Sequence, residues 1–194
     1  MMKRAILYWL LSVVALGRAW SLDWSLGFNS DNPDAEETSF SRPLTLQDGN
    51  ALRILIQSET SASCYVVAVD SENYVAVLEQ TELGDGEWVA IGPLVLTPPG
   101  GQEIFYIVMS ATPQKALEER LSALRLRGES RTAMQDVIDE ILRIRRDVSQ
   151  LREQPEMPVS MGGSFRGGEF DLSWASAFRY SGTDCYVKSI IIRH

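Results

Sequence analysis

The stretch that decides the fold is Ala51-Leu-Arg-Ile-Leu-Ile-Gln57, Ser58-Glu-Thr-Ser-Ala-Ser63, Cys64-Tyr-Val-Val-Ala-Val69, Asp70-Ser-Glu-Asn73 and Tyr74-Val-Ala-Val-Leu78. Three runs rich in β-branched and aromatic residues are separated by two short polar breaks, the pattern of a meander. The middle run has no polar face: Cys64, Val66 and Ala68 alternate with Tyr65, Val67 and Val69. A strand of that kind has to be covered on both sides, so it belongs in the middle of a sheet. Ile104-Phe-Tyr-Ile-Val-Met109 has the same property and predicts a second doubly buried strand. Val66, Val67, Val69, Ile104, Tyr106 and Val108 are therefore expected in the core.

Toward the N-terminus, Asp23 to Phe28 places Trp24, Leu26 and Phe28 on one face of a first strand, and Pro43 to Leu46 begins another. Glu79 to Glu87 reads as a polar connection with a Gly84-Asp-Gly86 turn. Trp88–Ile91 and Leu94–Leu96 read as two short strands flanking Gly92-Pro93, and Pro98-Pro-Gly-Gly101 as a rigid turn. The period then changes from 2 to 3.6. Thr112 is a suitable N-cap with Pro113 in the first helical position. Leu117, Leu121 and Leu124 share one helix face, and Gly128 ends that helix. Ser130 caps a second helix, whose apolar positions Met134, Val137, Ile141, Ile144, Val148 and Leu151 follow in steps of three and four. After the Gly-rich tract Gly162–Gly168, Phe170–Phe178 alternates as a strand, Arg179–Asp184 reads as a turn, and Cys185–Ile192 as a closing strand.

The expected fold is mainly β with α: an Ig-like antiparallel β-sandwich with a two-helix hairpin inserted before the C-terminal strands. Residues 1–19 read as a signal peptide, 20–42 as an N-terminal strand and acidic linker, and 43–111 as the main sandwich region. Residues 112–152 form the hairpin and 153–194 the Gly-rich connection and closing strands. The signal reading rests on Lys3 and Arg4 before the apolar run Ala5–Gly17, then Gly17-Arg18-Ala19 as a small-x-small cleavage site. An uncleaved anchor is the alternative, since the bulky Trp20 follows the site. Cleavage after Ala19 removes three of the 18 basic residues and none of the 26 acidic ones, for a net charge of about −11. Such a surface repels nucleic acid and anionic lipid, so neither is an expected partner.

Residues 44–113 resemble a bacterial domain family catalogued as domain of unknown function four-three-eight-four. The resemblance lies in the Asp48-Gly49 turn before the Leu52–Ile56 strand, the Cys64–Asp70 strand, and Pro98-Pro-Gly-Gly-Gln-Glu103 leading to Ala111-Thr-Pro113. Where the family often has Gly after the Asp70-type residue, this chain has Ser71-Glu-Asn73. The resemblance implies a β-sandwich-type module, exported or attached to signalling proteins, with no catalytic residues to transfer.

The residue inventory speaks against an enzyme. His194 is the only histidine and stands last in the sequence, where an exposed end is expected. Ser-His-Asp and Cys-His arrangements are then unavailable, and no metal or cofactor is expected. Asp31, Asp34, Glu36 and Glu37 read as a solvated linker rather than a calcium loop. The Gly162–Gly168 tract lacks a phosphate-loop ending. The acid pairs Glu118-Glu119 and Asp139-Glu140 fall on polar helix faces. Cys64 and Cys185 either pair as a disulfide, adding up to about 4 kcal/mol, or sit apart as thiols. Trp24, Trp88 and Trp174 with Tyr65, Tyr74 and Tyr106 form either core or a ligand groove. The first helix offers a shorter stripe than the second, so Ile144, Val148 and Leu151 are an expected interface for a protein partner or a second copy. The functional expectation is an exported, non-enzymatic envelope or periplasmic module acting in protein–protein interaction or envelope structure. The alternative is a small-ligand or glycan binding, or hydrolytic, domain with an aromatic-lined cleft.

Overall fold

The computed structural model describes residues 21–30, 40–128, 130–148, 157–159 and 176–194. The strands are β1 (Leu22–Ser30), β2 (Leu44–Thr45), β3 (Ala51–Ser58), β4 (Ala62–Val69), β5 (Val75–Leu83), β6 (Trp88–Val95) and β7 (Gln102–Ser110). Helices α1 (Lys115–Arg127) and α2 (Arg131–Asp147) follow, then β8 (Met157–Val159), β9 (Ser176–Gly182) and β10 (Cys185–Arg193). One sheet has the order β6-β3-β1-β9-β8 and the other β2-β10-β7-β4-β5, antiparallel throughout except where β2 meets β10. The mainly β two-sheet fold with a helical pair before the C-terminal strands is thus as expected.

The alternation in β4 explains the layering. Its inner residues Cys64 and Val66 join Phe105, Ile107 and Met109 of β7 against Trp24, Leu26, Ile54 and Ile56 of the facing sheet. Its outer residues Tyr65, Val67 and Val69 join Val108, Cys185 and Val187 beneath the helices. Leu117, Leu121 and Leu124 of α1 and Met134, Val137, Ile141 and Ile144 of α2 supply that second cover. The molecule is therefore three layers: sheet, sheet, helix pair. Each fully buried aliphatic side chain in these layers contributes about 1.5–3 kcal/mol over leaving it in water. Of the six residues expected in the core, Ile104 alone is half-buried.

Polar contacts dock the helices. The Tyr65 hydroxyl donates to Glu118 Oε1 at 2.7 Å and accepts the Gln114 N–H at 3.0 Å, and burial with the nearby carboxylate pushes that phenol up to about 12. The Val75 N–H reaches Met134 Sδ at 3.3 Å. Buried Glu140 accepts two bonds from Arg143, at 2.6 and 3.1 Å, which hold its carboxyl below the usual range.

Four local expectations need correction. Glu79–Glu82 is not a connection but the continuation of β5, which pairs with β4 as far as Leu83 opposite Ala62. At a sheet edge the backbone pairs on one side while half-exposed polar side chains face water, so apolar alternation is not required. Trp88–Val95 is one strand rather than two, running through a cis Gly92–Pro93 bond with a register irregularity between Leu52 and Ile54. Gly92 is required there: its φ is +114°, and a Cβ would lie 2.7 Å from the Leu52 carbonyl oxygen. Helix α1 begins at Lys115 with Gln114 as N-cap, not at Pro113 after a Thr112 cap. Residues 179–182, read as part of a turn, belong to β9.

Val67 is fully buried between β4 and the helices. Its truncation, Val67→Ala, is predicted to cost about 1–3 kcal/mol through lost burial and the cavity left behind. Urea denaturation followed by circular dichroism measures this, and a midpoint equal to wild type would contradict the placement.

Candidate functional site

The outermost strands β5 and β6 belong to different sheets and, among the described residues, leave the sandwich open along one side. Successive residues of β5 diverge there. Val75 and Val77 turn under the helices, while Ala76 and Leu78 turn inward with Tyr74 just before the strand. The facing wall is Leu94 and Val95 of β6, and the floor is Ala68 and Phe105. The result is a surface cavity of about 220 Å³. Its apolar rim is exposed, Tyr74 at 42% and Val95 at 56%.

Two carboxylates, Asp70 and Glu103, stand at this cavity, and no cation lines it among the described residues. The β4–β5 turn fixes Asp70. Its Oδ1 accepts the N–H groups of Glu72 at 2.9 Å and Tyr74 at 2.8 Å, and Asn73 takes the positive φ that the reversal needs. Glu103 is placed by His194. Nε2 of that ring lies 3.4 Å from Glu103 Oε1, and its Nδ1 donates to Asp48 Oδ1 at 2.7 Å. The backbones of Gly101 and His194 exchange two hydrogen bonds, at 2.9 and 3.1 Å. A Cβ at Gly100 would come within 2.6 Å of the His194 carbonyl oxygen, and one at Gly101 within 2.6 Å of the Ser71 Cβ, which explains the Gly pair in this turn.

His194 is therefore not the exposed end expected of it: its side chain is 3% exposed and clamped between two acids. Sequence reasoning missed Asp70 and Glu103 as a pair because one lies in the β4–β5 turn and the other on β7, far apart in the chain. The one local signal was the Asp70 turn followed by Tyr74, Ala76 and Leu78 at alternate positions.

The other anticipated site residues are scattered. Cys64 and Cys185 are free thiols, and the disulfide expectation is corrected. Cys64 faces the sandwich and Cys185 the helices, with β7 lying between their strands. Sulfur atoms on opposite faces of a sheet cannot meet without moving backbone. Burial pushes the Cys185 thiol up to about 11, and that of Cys64 further. Of the expected interface on α2, Ile144 is buried against the sheet and Val148 packs half-buried on the same cluster, while Leu151 lies outside the described residues. Among the described residues, the sheet takes up part of the stripe that α1 leaves uncovered.

The described aromatic residues share no groove. Trp24 stacks on Tyr180 at 4.9 Å inside the sandwich, Tyr65 and Tyr106 lie under the helices, and Trp88 is buried. Of that set, Tyr74 lines the cavity. Trp174, the acids of 31–37 and the Gly162–Gly168 tract lie outside the described residues, as does the expected signal segment. Glu119 and Asp139 are surface positions on the helices, whereas Glu118 and Glu140 are tied to Tyr65 and Arg143. Among the described residues no group of three His, Cys, Asp or Glu side chains is arranged to hold a metal.

No family model, curated protein or solved structure shows a significant match to the chain.

Burial of both thiols gives a direct test. Native protein is predicted to leave a thiol-reactive chromophoric disulfide reagent unconsumed over minutes. Unfolding in guanidinium without reductant should then expose two thiols per chain. Fewer than two on unfolding, or immediate reaction when folded, would contradict the two buried positions.

Proposed function

We propose that this chain is an exported, non-enzymatic β-sandwich module that binds another protein, in the envelope or periplasm, and that the cleft between β5 and β6 is where it does so. The observation that carries the reading is the cleft itself. On that side, inner-face residues remain at the surface, with Tyr74 and Val95 as an exposed apolar rim. Exposed apolar surface bounded by polar groups marks an interaction site. The cavity, at about 220 Å³, falls short of the roughly 300–1,000 Å³ usual for small-molecule sites. It suits one side chain of a larger partner. The glycan or hydrolytic alternative would need the aromatic residues in one cleft, whereas Trp24 lies in the sandwich core, Tyr65 and Tyr106 lie under the helices, and Tyr74 stands at the cavity.

Export is part of the proposal and rests on the sequence pattern of residues 1–19. The resemblance of residues 44–113 to the uncharacterised bacterial module agrees with both parts. The test is mild crosslinking of the native envelope fraction, capture of the tagged full chain, and N-terminal sequencing of the captured protein. The reading predicts a chain beginning at Trp20 with at least one partner crosslinked above a mock control. A chain still carrying Met1, with no partner above background, would contradict it.

A further inference from the structure

We infer that the cleft takes an extended, basic segment of the partner, which pairs along the outer edge of β5, unpaired among the described residues, and seats a lysine or arginine side chain in the cavity. This rests on reading the module as a protein-interaction domain. Two features of the site select this occupant over others.

The first is the edge. β5 is the outermost strand of its sheet, nine residues long, and its residues from Ala76 to Thr81 are half-exposed. An edge strand presents unpaired N–H and C=O groups at alternate residues, and an added strand satisfies them while its own side chains alternate between the two sides. Side chains two positions apart on one face of such a strand are about 6.5–7 Å apart. A partner strand on β5 would therefore send alternate side chains into the groove formed by Tyr74, Ala76 and Leu78.

The second is the chemistry of the cavity. Its walls are apolar, and Asp70 and Glu103 both stand at it. Asp70 Oδ2 makes no hydrogen bond among the described residues, since the turn uses Oδ1. A carboxylate accepts up to about four hydrogen bonds, so Glu103 keeps capacity beyond His194. A long cationic side chain matches such a place. Its methylenes would lie on Phe105, Leu78 and Leu94, and its head group would reach the carboxylates. A net charge of −8 favours approach of a basic segment and disfavours an acidic one.

The test uses the folded full chain and two blocked seven-residue peptides, one alternating valine with lysine, the other valine with glutamate. Binding is followed by amide chemical shifts and by hydrogen exchange. The lysine peptide is expected to bind saturably, with shifts and added protection concentrated from Tyr74 to Leu83, and the glutamate peptide not to bind. The double variant Asp70→Asn, Glu103→Gln keeps the Asx turn and the size of both side chains; it is expected to weaken binding at least tenfold. Glu119→Gln with Asp139→Asn removes the same charge on the helix surface, away from both the cavity and β5, and is expected to weaken it less than threefold. Three results would overturn the inference: no binding of the lysine peptide, equal weakening by both double variants, or protection elsewhere than β5. The envelope capture repeated with Asp70→Asn, Glu103→Gln separates the two claims. A partner kept undiminished leaves the interaction module standing and removes this site. Absence of a partner with wild type removes the module reading, while the peptide titration still decides whether the cleft binds basic strands.

Discussion

The structure depends on the absence of any polar face on β4 and β7. Cys64, Val66, Phe105, Ile107 and Met109 on one side, and Tyr65, Val67 and Val108 on the other, all have to leave water. A single facing sheet can satisfy only half of that demand. The helical pair is the other half, which is why α2 carries an apolar stripe longer than α1 can cover. Docking is then made specific by a few polar contacts, of which the Tyr65 hydroxyl shared by Gln114 and Glu118 is the clearest. An unpartnered hydroxyl buried there would cost about 1–3 kcal/mol, so that contact fixes where α1 starts more firmly than a local cap would.

Doubly buried strands in the centre leave the sheet margins to differ from them. β5 and β6 are where the two sheets stop, and neither is paired on its outer side among the described residues. The half-exposed Glu79, Gln80 and Thr81 keep β5 soluble without closing the cleft. The same alternation that hides Val75 and Val77 beneath the helices brings Ala76 and Leu78 to the opening. Core and cleft are thus consequences of one strand's two faces.

Much of this was legible from the residues. Unbroken apolar runs identified β4 and β7, the change of period at residue 112 identified the helices, and their order gave a sandwich with an inserted hairpin. What could not be read were relations between segments. Glu79–Glu82 carries no strand signature because its pairing lies in the backbone and in β4. Gly92-Pro93 reads as a break, yet β6 runs through it with a shift of register, Leu94 lying opposite Leu52 and Ile91 opposite Ile54. Ile144 and Val148 look surplus until the sheet beneath them is known. Cys64 and Cys185 look like partners because both precede Tyr-Val, but sheet parity sends them to opposite faces. Asp70, Glu103 and His194 are far apart in the chain and meet only through the β4–β5 turn and the Gly100-Gly101 loop. For this reason the candidate site was almost invisible in sequence.

The central claim is that the helix pair is a structural layer of the sheet rather than an attachment to it. Native-state hydrogen exchange across low concentrations of denaturant measures this directly. The account predicts that amides in the buried turns of α2, from Val137 to Ile144, and amides in β4 and β7 exchange through one common opening, with the same free energy and the same denaturant dependence. Exchange of the α1 and α2 amides through a separate opening of much lower free energy, with β4 and β7 still fully protected, would contradict it.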